Sequence, residues 1–132
     1  MPFATVHGAR LFYTDSGGDG EPVVLGHGYL MTSALWGRLV GPLVEAGYRV
    51  VRPDWRGQGG SDVTAAGYDP WDLAADALGL LDHIGIGRVH WVGHSMGGYV
   101  GYRLALRAPD RVASLVQIGT AAAAEGGAKL AR

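Results

Sequence analysis

Gly93-His94-Ser95-Met96-Gly97 sets one hydroxyl between two glycines, each two positions away. A serine is a poor nucleophile until its oxygen is held clear of its neighbours and given a base and a site for the developing anion. A G-x-S-x-G run provides the first of these where it turns a strand into a helix. The serine then sits in strained backbone, and neighbouring chain passes so close that only small residues fit two positions either side. Alone, the pentapeptide is a weak signal. Here it follows the apolar run Val89-His90-Trp91-Val92 and precedes an amphipathic stretch from Met96, which is the context the geometry requires. Gly98 extends the small-residue stretch. The chemistry this predicts is attack by Ser95 on an ester-type carbonyl. The unpaired N–H groups and positive dipole end of the helix would face the oxyanion, with the Met96 N–H as one donor. The competing structural reading is a glycine-rich turn in an ordinary open sheet, with Ser95 as a helix cap.

An oxyanion site needs a second backbone donor from a neighbouring strand end. Gly26-His27-Gly28-Tyr29 follows the apolar run Pro22 to Leu25, and the Tyr29 N–H is placed to supply it. Gly28 would let the chain turn inward, and His27 reads as a structural histidine bonded to the loop. Asp54-Trp55-Arg56-Gly57-Gln58-Gly59-Gly60-Ser61 closes a later strand. Its expected job is architectural: Asp54 and Arg56 tie the loop to surrounding backbone, while Gly57 and Gly59 take special backbone angles. Anion binding by Arg56 is the less favoured alternative. His94 adjoins the nucleophile and cannot readily turn its ring to Oγ, so it is grouped with the elbow's support.

The elements that must hold these residues alternate along the chain. Two short strands, Thr5 to Val6 and Leu11 to Thr14, flank a turn, and Pro22 to Leu25 is a third. A helix is expected from Ser33 to Ala46, with Leu35, Trp36, Leu39, Val40, Leu43 and Val44 on one face and Pro42 splitting or kinking it. Tyr48 to Arg52 reads as a strand. Asp69-Pro70 starts a second helix. It buries Leu73, Ala77, Leu80, Leu81 and Ile84, leaves Asp72, Asp76 and Asp82 largely on the wet side, and ends at Gly85 and Gly87. Arg88 to Val92, Met96 to Arg107 and Val112 to Ile118 follow as strand, helix and strand, with Pro109 stopping the helix. This order predicts an α/β fold: a mainly parallel sheet with helices on both faces.

Composition narrows the function. Eleven basic against twelve acidic residues leave a formal net charge of −1, which argues against a nucleic-acid partner. No run approaches the ~20 apolar residues of a membrane span, and residues 1–10 have no apolar leader core. The absence of cysteine excludes disulfides, thiolate metal sites and a cysteine nucleophile, and is consistent with a cytoplasmic setting. No cofactor or metal is expected. The 23 glycines cluster at the ends of apolar runs, as punctuation of a folded domain.

Taken in order, H-G-x at His27, D-x-R-G-x-G-x-S from Asp54 to Ser61 and G-H-S-M-G-G from Gly93 to Gly98 resemble the α/β-hydrolase superfamily, most closely its small esterase, lactonase and haloperoxidase-like members. The resemblance covers residues 3 to 119. It implies strands one to six of an eight-stranded sheet with the nucleophile after strand five. Serine there separates the chain from relatives such as epoxide hydrolases, which use aspartate. The family order is nucleophile, acid, histidine. After Ser95 the chain offers only Asp110 and Glu125 as acids, and no histidine later than His94. Asp110 begins the last strand, the wrong end for catalysis. His7, His83 and His90 read as structural or exposed. The expectation is a single partial domain over 1–132, truncated after about the sixth strand and lacking its acid and base, with a small-molecule ester-type substrate. Loss of the base would cost ~10⁴–10⁶ in turnover. The alternative is a shortened relative that binds small molecules without turnover. The last strand is expected to leave an apolar edge that pairs with itself or with a complementing chain.

Overall fold

In Ala9–Asp15, the side chains of Ala9, Leu11 and Tyr13 are buried while Arg10 is exposed and Phe12 and Thr14 are partly covered, the alternation of a strand with one face on the core. This strand (β2) pairs antiparallel with β1 (Phe3–Val6) and with β4 (Arg49–Pro53). The next segment, β3 (Pro22–Gly26), is instead buried at four consecutive positions, the pattern of a strand covered on both faces. It lies between β4 and β5 (Val89–His94), parallel to both, and β6 (Val112–Ile118) adds in parallel beyond β5. The sheet order is β1-β2-β4-β3-β5-β6 in this computed structural model, which describes residues 2–120. The sheet is therefore mixed at one side and parallel through its centre.

Helices cover both faces. On one side α2 (Pro70–Ile84) and α3 (Met96–Arg107) enclose a core with Trp55, Trp91, Leu73, Leu80 and Leu104. On the other, Trp36 and helix α1 (Gly37–Glu45) pack Val40 and Leu43 on Val23, Leu25 and Val50. The start of α2 is fixed by a capping box: the Asp69 carboxylate accepts the Asp72 N–H at 2.9 Å, and Pro70 follows where no N–H is needed. It ends at Gly85, whose φ of 76° puts it in the left-handed region.

Three expectations change. Pro42 lies inside α1 without splitting it; the break falls earlier, where a 3-10 turn at Ser33–Trp36 hands over to the helix at Gly37. The apolar face expected there is only half used, since Leu35, Leu39 and Val44 stay more than two-fifths exposed. Asp76 is not on the wet side of α2: it is 1% exposed and paired with Arg56. It stands three residues after Leu73 and four before Leu80, so the helix twist carries it onto the buried stripe with them.

β6 is an edge strand among the described residues, and Val116 and Ile118 are nearly half exposed. Among these residues no helix is long and apolar enough to cross a membrane.

Candidate active site

β5 ends at His94 and α3 begins at Met96, so Ser95 alone makes the turn. Its φ of 52° and ψ of −113° lie where side-chain-bearing residues rarely sit, at a cost of ~1–3 kcal/mol. The surroundings hold it there. Its N–H donates to the Ile118 carbonyl on β6 at 2.9 Å. Its carbonyl accepts from the Gly98 and Tyr99 N–H groups at 2.9 and 3.2 Å and from the Thr120 hydroxyl at 3.1 Å. The Ser95 side chain makes no capping bond to the helix, which disposes of the reading of Ser95 as an ordinary cap.

The glycines permit this crowding. Gly26 and Gly93 are register partners on β3 and β5. A Cβ on Gly93 would stand 2.5 Å from the Gly97 carbonyl oxygen and the Gly98 nitrogen, and one on Gly97 would overlap the Gly26 carbonyl. Gly98 faces Thr120 as closely. Under this turn Trp55 and Trp91 stack with ring centroids 6.0 Å apart, and Gly26 leaves room for both rings. The Trp91 indole N–H donates to the Gly97 carbonyl at 2.9 Å, tying the floor to the elbow.

Gly28 comes close on the other side; a Cβ there would lie 3.2 Å from the Ser95 Cβ and 3.1 Å from His94 Nδ1. The His94 ring thus lies against Gly28, and its Nδ1 is buried with no hydrogen-bond partner among the described residues. The next residue is Tyr29, in a turn closed by the Met31 N–H on the Gly28 carbonyl at 3.3 Å. Neither the Tyr29 nor the Met96 N–H donates to another described residue.

His27 is wholly buried beneath this loop. Its Nε2 accepts the Trp55 N–H at 3.2 Å, so Nδ1 carries the proton and donates to the Gly28 carbonyl at 2.8 Å. The Trp55 indole returns a bond to the His27 carbonyl at 2.8 Å. Burial holds the His27 pKa below its ordinary 6.5, against the opposing pull of the Gly28 carbonyl and of Asp54. The unfolded chain binds a proton near pH 6.5 that the folded one refuses. Stability from His27 is therefore full above about pH 6.5 and drains as pH falls toward the folded value. Unfolding free energies from urea titrations, measured downward from about pH 7.5, should fall less steeply in His27→Gln than in the unaltered chain, by up to ~1.4 kcal/mol per pH unit. Parallel slopes would show that His27 protonates freely in the fold.

Asp54 works on backbone, as expected: its carboxylate accepts from the Ser33 N–H at 2.7 Å and from the Gly60 N–H at 2.9 Å. Gly57 and Gly59 have φ of 82° and 54°. Arg56 also ties backbone, but these are not its strongest bonds. Its main partner is the Asp76 carboxylate, a two-pronged pair at 2.7 and 2.8 Å, with weaker bonds to the His7 and Ala66 carbonyls at 3.3 and 3.4 Å. The pair leaves no free cation for an anion and holds the guanidinium more firmly protonated than usual.

The structure thus brings Ser95, Met96, Tyr29, Gly28 and His94 together around one point, with His27, Asp54 and Arg56 as the frame behind them. No imidazole or carboxylate among the described residues is hydrogen-bonded to the Ser95 hydroxyl. His90 bonds Ser114 at 2.7 Å, His83 is exposed at the far end of α2, and Asp110 precedes β6. Glu125 lies outside the described residues. Sequence reasoning missed Thr120 and Gln117, which anchor the elbow through the Ser95 and Gly98 carbonyls; short polar residues at the end of an apolar strand carry no distinguishing pattern.

Known proteins share this frame. The chain is 46% identical over 101 residues to a Variovorax paradoxus protein whose name carries the words carbamate hydrolase, an alignment covering 76% of this chain and 38% of that one. It is 40% identical over 119 residues to epoxide hydrolase A of Mycobacterium tuberculosis, covering 88% and 37%. A thermophilic esterase from Thermogutta terrifontis superposes with a TM-score of 0.86 at 32% identity, over 96% of this chain and 47% of that one. The chain therefore spans less than half the length of these relatives. A family model described as alpha/beta hydrolase fold matches residues 21–130, and with these likenesses it shows that the chain belongs to the α/β-hydrolase family.

Proposed function

We propose that this chain supplies the nucleophile and the oxyanion-binding part of a serine hydrolase acting on ester-type carbonyl bonds. The observation that carries this reading is Ser95 itself: a positive-φ residue alone between β5 and α3, held by its backbone with its hydroxyl unengaged by any described residue. The Oγ attacks the carbonyl carbon and a base takes its proton. The negative charge that collects on the carbonyl oxygen meets the unengaged Met96 and Tyr29 N–H groups, helped by the positive end of α3. Collapse of the tetrahedral species passes the proton to the leaving alkoxide and leaves an acyl-serine, which water then opens.

His27 is unsuited as the base, because both its nitrogens are engaged and burial opposes its protonation. The reading therefore requires an imidazole, and the acid that orients it, from beyond residues 2–120. The outer edge of β6, unpaired among the described residues, is where we propose a further strand pairs, from a longer chain or a complementing one. Serine in place of a carboxylate favours carbonyl substrates over epoxides. A shortened relative that binds without turnover is the second reading, favoured by the unaccompanied Ser95 hydroxyl.

A fluorophosphonate probe tests the nucleophile. Labelling at residue 95 is expected once the rest of the fold is supplied, and none in Ser95→Ala. Labelling that persists in Ser95→Ala sinks the assignment. Binding of small apolar carbonyl compounds with neither labelling nor hydrolysis in the completed fold points to the second reading.

A further inference from the structure

Beside the elbow lies a pocket of about 330 Å³, at the small end of the range that takes small molecules. Tyr29 and Met96, whose amides are proposed above to hold the oxyanion, form part of its wall, so it adjoins the proposed reacting centre. Leu30, Val63 and Leu73 give it an apolar surface. Its polar groups decide what it accepts.

Arg56 is the one charged residue in the lining among the described residues, and its guanidinium is engaged by the buried Asp76 carboxylate on two nitrogens. The Tyr68 hydroxyl donates to the Thr64 carbonyl at 2.6 Å and accepts the Thr64 N–H at 2.8 Å. What remains is the Tyr29 hydroxyl and the carboxamide of Gln58, whose Oε1 is buried with no partner among the described residues. Both are neutral. A carboxylate seated against the apolar wall and Gln58 would shed part of its water and find no free cation among the described residues, a desolvation cost that hydrogen bonds from neutral groups do not fully offset. An aliphatic group loses nothing and gains roughly fourfold in affinity per buried methylene.

We propose that this pocket selects an uncharged, mainly apolar group of the substrate, with Gln58 as its polar contact, and turns away substrates that carry a carboxylate there. The proposal rests on Ser95 as the point of attack, and deepens that reading by naming the substrate class. Binding can be tested without catalysis. In the Ser95→Ala chain, the Met96 methyl resonance is followed while methyl butyrate, or monomethyl succinate as its charged counterpart, is added. Methyl butyrate is expected to bind tenfold or more tightly, and Gln58→Lys to narrow or invert that preference. Equal or tighter binding of monomethyl succinate to the Ser95→Ala chain overturns the proposal, as does a Met96 signal that neither ester moves. The two ideas fail separately. A preference for the neutral ester without fluorophosphonate labelling sinks only the hydrolase reading; labelling without the preference sinks only this one.

Discussion

Asp76→Ala should destabilise the fold by about 3–5 kcal/mol, the usual cost of removing one partner of a buried ion pair. Asp76 is 1% exposed and Arg56 7%, so the guanidinium left behind is largely shut off from water and has no other carboxylate among its described partners, which are the His7 and Ala66 carbonyls and the Thr64 hydroxyl. The melting temperature should drop by on the order of 10–20 °C. The pairing, rather than the packing of the carboxylate, is tested by the double variant Arg56→Met/Asp76→Leu. Removing both charges should recover much of the loss, because the pair also carries the cost of desolvating two ions. A double variant as unstable as Asp76→Ala would assign the effect to shape instead. Because Arg56 and Gly57 also line the pocket beside Ser95, Asp76→Ala should weaken ligand binding there together with stability.

The second large effect comes from a single methyl group. Gly97→Ala would drive a Cβ into the Gly26 carbonyl and to within 2.9 Å of the His27 carbonyl oxygen, both backbone at the end of the central strand β3. No rotamer relieves such a clash, so α3 or β3 must shift. A loss of about 2–4 kcal/mol is expected, at or beyond the upper end of ordinary overpacking. The same replacement at Gly37, exposed at the start of α1 with helical φ and ψ of −51° and −38° and nothing within 4 Å of its added Cβ, should stabilise by ~0.4–1 kcal/mol. Urea denaturation of the two variants gives opposite signs if the close approach at Gly97 is what matters. A Gly97→Ala chain of unchanged stability would mean that the elbow yields to the added methyl at no cost.

Much of this fold could be read from the sequence because its punctuation is strong. Met96 to Arg107 and Val112 to Ile118 come out with the expected bounds, since glycines crowd one end of the helix and Pro109 closes the other. Asp69-Pro70 and Gly85 likewise pin α2 at both ends. The region of α1 was less legible: its apolar residues fit a single helical face, but whether a face is buried depends on what lies opposite, and only Trp36, Val40 and Leu43 of the six meet the sheet. The fate of Asp76 was harder still. Polarity placed it in water, whereas its spacing from Leu73 and Leu80 placed it on the core side. A carboxylate on an apolar stripe signals a buried cation opposite it, and Arg56, 20 residues earlier, is that cation. The elbow's glycines were legible from their spacing. The bonds that hold it from Thr120 and Gln117 were not, because they depend on which strand lies beside β5.

Each hydrogen bond that fixes residue 95 uses its main-chain nitrogen or oxygen: the nitrogen to Ile118, the oxygen to Gly98, Tyr99 and Thr120. Among the described residues its side chain makes no bond that helps to place it. Side-chain identity and architecture are therefore separable at this position. Aspartate or cysteine there would inherit the same presentation, while the surrounding glycines admit no comparable exchange. Such a scaffold changes its chemistry by a single codon and keeps its shape.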